Sequence, residues 1–109
     1  MGVNLSVMIY DMVKQFPPHE RYGLTSQITR AAVAVPANIA EGNARSSLRE
    51  YAQFVSVARG SLMEVETFVT IAARIGYVNE SDAASLQIYI NDLSKMLRSL
   101  RERLIAQAK

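Results

Sequence analysis

The chain has 109 residues, half of them hydrophobic and 7% aromatic, with a formal charge of +2. That length fits one domain, residues 1–109, with a modest core, and an aliphatic, glycine-poor composition suits all-α packing better than a sandwich or barrel. The lack of cysteine excludes disulfides and thiolate metal sites, and so small a net charge is by itself no argument for a nucleic-acid partner.

The first element is a short helix. Leu5, Met8, Ile9, Met12 and Phe16 recur at helical spacing, and Pro17-Pro18 stops it. A connection follows through His19 to Gly23, after which Thr25 or Ser26 is placed to cap a second helix. That helix is expected to run to about Glu41, with Gly42 as its terminator. Pro36 falls inside it and removes one amide donor opposite the carbonyl of Ala32, so a kink near Val35 is expected.

Ser47 and Glu50 read as a capping box opening the third helix, which continues to about Ile75 before Gly76. Its apolar residues Leu48, Tyr51, Val55, Ala58, Leu62, Val65, Val69 and Ala72 alternate three and four apart and form one stripe. A second stripe of Phe54, Val57, Ser61, Phe68, Ile71 and Ile75 lies beside it. The combined face is too wide for a two-stranded zipper and calls for a bundle. Gly60, in mid-helix, is read as a point of close backbone approach.

Asn79 and Asp82 open the fourth helix, whose seam is Leu86, Ile90, Leu93, Leu97, Leu100 and Leu104. The third and fourth helices should form an antiparallel hairpin roughly 40 Å long at about 1.5 Å per residue. The whole is expected to be an all-α, antiparallel, up-and-down four-helix bundle with a short first helix and a Pro-kinked second one. The first helix is less than half the hairpin's length. Another subunit, or an upstream extension of the first helix, would cover the remainder.

Two groups of polar residues stand out. Gln27, Arg30, Asn38, Glu41 and Arg45 share one side of the second helix, opposite Ile28, Ala32, Val35, Ile39 and Ala40. Arg59, Glu64 and Glu66 on the third helix are candidate partners; Arg30 suits a bidentate carboxylate, and Asn38 suits the backbone group freed by Pro36. This stripe reads as a solvated face, as a buried or subunit-bridging network, or as a ligand or catalytic site. The other group is Lys95, Arg98, Arg101 and Arg103, with Lys109, against the single acid Glu102. Basic residues near a helix C-terminus complement the backbone dipole; the same residues suit contacts to phosphates.

Catalytic and cofactor chemistry finds little support. His19 is the sole histidine, which rules out the carboxylate–histidine di-iron pattern, and no nucleophile elbow is present. Glu64 and Glu66, two apart on a helix, point in different directions and do not make a paired-carboxylate site. The expectation is a protein without catalytic, cofactor or metal sites. No segment is long enough to cross a bilayer, no leader precedes the first helix, and a cytoplasmic protein is expected. Met1 to Ser6 fits a myristoylation pattern without the basic cluster stable anchoring needs, and Asn79-Glu80-Ser81 fits a sequon that a cytoplasmic protein would not use.

The run Val35-Pro36-Ala37-Asn38-Ile39-Ala40-Glu41-Gly42 is distinctive, as proline is rare within a helix. Together with Phe16-Pro17, Tyr22-Gly23-Leu24, Arg30-Ala31-Ala32, Ala58-Arg59-Gly60-Ser61 and Gly76-Tyr77, it resembles the four-helix-bundle proteins encoded by intervening sequences of bacterial 23S ribosomal RNA genes. The fourth helix matches mainly in its leucine spacing. The resemblance implies an up-and-down bundle, often a homopentamer, without established enzymatic activity; the family name reflects gene location. A related branch, the accessory variability proteins of diversity-generating retroelements, is a basic pentamer that binds nucleic acid and a reverse transcriptase. Members usually begin with a longer first helix carrying an aromatic residue, often tryptophan, upstream of the part matching Val3 to Phe16. By that pattern this chain starts inside the helix.

The resulting expectation is a homo-oligomeric accessory protein that contacts RNA or DNA through Lys95, Arg98, Arg101 and Arg103. The alternatives are a structural module that docks a protein partner, and a hydrolase built on the polar stripe.

Overall fold

A computed structural model describes residues 1–108. Helices α1 (Val3–Met12), α2 (Leu24–Asn43), α3 (Leu48–Arg74) and α4 (Glu80–Gln107) build an all-α bundle of 48 × 24 × 17 Å. Each helix packs on the next in the chain: α1 on α2, α2 on α3, α3 on α4, with α1 meeting α4 more sparsely. Among the described residues there is no strand, and no helix is long and apolar enough to cross a membrane.

Most of the seams read from the sequence form the core, but Leu48, at the open start of α3, is exposed, and Tyr51 and Leu100 are only partly buried. Val55, Ala58, Leu62, Val65, Val69 and Ala72 of α3 are buried, as are Leu86, Ile90, Leu93, Leu97 and Leu104 of α4. From α2 come Ile28, Ala31, Ala32, Val35 and Ile39, and from α1 Leu5, Ile9 and Met12. The outer stripe of α3 is left at the margin: Val57 is 54% exposed and Ile75 52%. Ala40, assigned to the inner side of α2, is exposed.

The helix ends are set by specific groups. Ser47 Oγ accepts the Glu50 amide at 3.3 Å, and Asn79 Oδ1 accepts the Asp82 amide at 2.8 Å, as their positions predict. The end of α3 is a Schellman turn: Gly76 takes φ +83°, the Tyr77 amide donates to Ala72 O at 2.9 Å, and the Gly76 amide donates to Ala73 O at 3.2 Å. Neither Thr25 nor Ser26 caps α2. The helix begins earlier, at Leu24, and the side chain of Glu20 accepts the Leu24 amide at 3.1 Å.

Two glycine assignments are corrected. Gly42 does not terminate α2; it lies inside the helix, buried, where a Cβ would come within 2.7 Å of Phe54 Cβ and 2.9 Å of Tyr51 Cδ1. Gly60 has nothing within 4 Å of where its Cβ would sit. The close approach of α2 and α3 therefore falls at Gly42.

Helix α2 runs unbroken through Pro36. The proline leaves the Ala32 carbonyl without its helical amide partner, and the Ser6 hydroxyl of α1 donates to it at 3.0 Å. Asn38, expected to serve that role, instead donates to Ala34 O at 2.7 Å. The chemical gap in α2 is thus filled from the neighbouring helix, where it also ties α1 down.

Candidate nucleic-acid interface

The polar stripe of α2 does not form one network. Glu41 and Arg45 pair across one turn, and the Arg45 guanidinium lies over the Phe54 ring, 4.9 Å from its centroid. Gln27 and Arg30 line a shallow hollow of about 500 Å³ between α2 and α3, with Ser61, Glu64 and Phe68 opposite. Among the described residues Arg30 has no carboxylate within ion-pair distance. Glu66 stands two positions beyond Glu64, roughly 200° around α3. Its carbonyl accepts the Gln87 Nε2 of α4 at 3.1 Å.

Arg59 leaves the stripe altogether. Its Nε donates to Ser94 Oγ of α4 at 3.2 Å, and Ser94 is buried. The bond runs in one direction across the furrow between α3 and α4. Arg101 of α4 answers in the other, its Nε donating to Ser56 Oγ of α3 at 2.6 Å. Each guanidinium is held by a hydroxyl of the facing helix, and each hydrogen bond occupies Nε and leaves both Nη groups available.

Two adjoining hollows lie along this furrow. One, of about 350 Å³, is lined by Ser56, Arg59, Gly60, Met63 and Arg101. The next, of about 570 Å³, is walled mainly by Ala52, Val57, Ile105 and Ala108, with Arg49, Gln53, Ser56 and Arg101 at its polar edges. Among the described residues no carboxylate lines either hollow. Three arginines therefore face one furrow without a neutralising partner inside it among the described residues.

Of the basic residues named from the sequence, Lys95, Arg98, Arg101 and Arg103 are all exposed. They do not form one patch. At about 100° per residue, Arg101 falls on the flank towards α3, Lys95 opposite the buried seam, Arg98 between them, and Arg103 on the other flank. Lys109 lies outside the described residues. Arg49 was not singled out by sequence reasoning. The available signal was its phase: Arg49, Gln53, Ser56 and Gly60 recur every three to four residues beside the apolar seam.

Sequence reasoning also missed a polar clasp at the opposite end. Tyr77 Oη donates to Glu20 Oε2 at 2.6 Å and lies 3.3 Å from His19 Nε2, while its ring packs tilted against Phe16 with centroids 5.4 Å apart. Tyr77's hydrogen bond, followed by the Leu24 amide, holds the Glu20 carboxyl below the usual carboxylate range; the same bond raises the Tyr77 phenol. The clasp ties the α1–α2 connection to the α3–α4 turn. Its elements lie 57 residues apart in sequence.

On the outer side of α1 and α2, a hollow of about 680 Å³ is lined by exposed Val3, Val7, Tyr10 and Val33. Asp11 and Lys14 border it and pair at 3.6 Å. Among the described residues no group of three histidine or acidic side chains is arranged to hold a metal ion.

In comparisons with known proteins, no curated protein matches the chain. The fold is similar to that of a crystal structure from Bacteroides thetaiotaomicron, a protein of unknown function from the S23 ribosomal protein family. The TM-score is 0.85 at 20% identity, covering 92% of this chain and 94% of that one. A family model described as 23S rRNA-intervening sequence protein matches residues 1–99. With that match spanning nearly all of the four helices, the chain belongs to the 23S rRNA-intervening sequence protein family.

Proposed function

We propose that this chain is a non-catalytic, homo-oligomeric bundle of the cytoplasm that binds the phosphate backbone of RNA or DNA as an accessory protein. The observation that carries the reading is the α3–α4 furrow, where Arg49, Arg59 and Arg101 line two adjoining hollows with no carboxylate among the described lining residues. Arg98, one turn along α4 from Arg101, adds positive charge beside it, while Lys95 and Arg103 face away. A net charge of +2 gives a weak patch on one chain, and several copies in one particle would multiply it. Exposed Val3, Val7 and Tyr10 on α1, and Ile71 and Ile75 on α3, support self-association, because apolar rows of this kind are covered in stable assemblies.

Titration of a structured RNA at increasing salt tests the reading. Each phosphate neutralised contributes about −0.9 to the slope of log K against log salt, and Arg101→Gln should make that slope shallower by about 1. No binding at low salt refutes the proposal. A solution mass corresponding to a single chain refutes the assembly.

The hollow beside Val3, Val7 and Tyr10 favours a second reading, a structural module that docks a different protein there. A pull-down that recovers one protein and is insensitive to nuclease, from a chain that is monomeric alone, favours that reading over the first.

A further inference from the structure

We infer that the α3–α4 furrow takes an unpaired nucleotide of a single strand, with its phosphate between Arg59 and Arg101 and its base in the adjoining apolar hollow. The inference rests on the nucleic-acid reading above and narrows it from any phosphate backbone to strand segments whose bases are turned out. The two hollows differ in chemistry as the two parts of a nucleotide do. The smaller is cationic and polar, with Ser56, Arg59 and Arg101 around Gly60. The larger is walled by Ala52, Val57 and Ile105 and has a polar rim. Ser56 and Arg101 line both, so the hollows are contiguous.

The arginines are positioned before any ligand arrives. The Ser94 and Ser56 hydroxyls fix each guanidinium through Nε, which lowers the ordering cost of binding an anion with the Nη groups. Gly60 lines the smaller hollow without a side chain, and nothing lies within 4 Å of the point a Cβ would occupy. In the larger hollow, the base would lie against aliphatic walls and the Arg101 guanidinium plane, with the Gln53 carboxamide at its edge. A base within a duplex keeps its faces in the stack and cannot enter a furrow between two helices; an unpaired base can. Arg49 at the rim and Arg98, one turn along α4 from Arg101, stand where neighbouring phosphates would run, which favours a strand over a free nucleotide.

Fluorescence anisotropy at low salt provides the test. The labelled probes are a short single strand, the same strand carrying abasic sites, and a fully paired hairpin. The intact strand should bind roughly tenfold or more tightly than either of the others. Val57→Ser, at an exposed wall position, should narrow the gap between intact and abasic strands without changing affinity for the abasic one. Arg101→Gln should weaken all three. Equal affinity for intact and abasic strands overturns this inference and leaves backbone binding standing; no binding of any probe refutes the nucleic-acid reading itself. A nucleoside monophosphate that displaces the strand at comparable concentration assigns the site to a free nucleotide and overturns the strand. Displacement by poly-glutamate as effectively as by the unlabelled strand overturns the base-binding part.

Discussion

Pro36 and Ser6 are predicted to be energetically coupled, because the hydroxyl of one replaces the amide that the other lacks. In the native chain, Ser6→Ala leaves the carbonyl of fully buried Ala32 without a donor. An unsatisfied buried acceptor costs about 1–3 kcal/mol, against which alanine gains about 0.5 kcal/mol in helix propensity. The expected net loss is about 1–2 kcal/mol, or roughly 0.5–1 M in the urea midpoint. In a Pro36→Ala background, the new amide at position 36 reaches the Ala32 carbonyl along the helix, and Ser6→Ala then leaves only the propensity gain of about 0.5 kcal/mol. Propensity changes at position 6 are common to both backgrounds and cancel, leaving a coupling of about 1–3 kcal/mol in the double-mutant cycle. Urea denaturation followed by far-ultraviolet circular dichroism, at one fixed protein concentration, measures all four corners. Equal losses from Ser6→Ala in the two backgrounds would refute the reasoning.

Gly60→Ala should stabilise the protein by about 1 kcal/mol, since the site is open and helical. Gly42→Ala should destabilise it relative to Gly60→Ala by about 1–3 kcal/mol, because its methyl meets Phe54 Cβ and the Tyr51 backbone; thermal unfolding of the pair ranks them. Asn79→Ala should cost about 1 kcal/mol through loss of the α4 cap, read from the same curves. Because the folded-state pKa of Glu20 is lowered, its stabilisation is present above the unfolded carboxylate range and lost as pH falls through the folded value. Tyr77 is raised, so its share is present at neutral pH and lost as pH rises through its folded value. The difference in urea midpoint between wild type and Tyr77→Phe should therefore shrink as pH falls from neutral through the carboxylate range, and a constant difference would remove the Glu20–Tyr77 bond from the account.

The interior of this bundle was readable because burial follows a helix's own period. Leu62 and Leu97 are buried for the reason their spacing predicts: each lies on the axis of an apolar stripe. Ser47 and Asn79 were readable because a cap of that kind is local. Glu20 was not, since it caps α2 from the preceding connection and outside the usual serine or threonine position. The glycines mark a different limit. Both Gly42 and Gly60 sit inside helices, and nothing local says which one a neighbour approaches; the packing of α2 on α3 decides that. Arg59 shows the same limit at the candidate site. Its phase on α3 defines a direction relative to its own helix and leaves open whether α2 or α4 lies there. The structure puts α4 and Ser94 on that side, which removes Arg59 from the α2 stripe and places it with Arg101.

That relocation changes which residues are informative about binding. The family match spans residues 1–99, so Arg49 and Arg59 lie within it and Arg101 beyond it. The furrow joins both parts, with Ser56 of α3 holding the guanidinium that α4 supplies. Removing the end of α4 would take away Arg101 and Arg103, but also buried Leu104, and so would confound charge with packing. Arg59 is no cleaner, because its loss strips the hydrogen-bond donor from buried Ser94. Arg101 is exposed and its serine partner lies at the surface, so Arg101→Gln removes the charge with little consequence for the core. A change in nucleic-acid affinity at that position therefore reports on the furrow's field, whereas the same change at Arg59 would mix it with the stability of the α3–α4 pair.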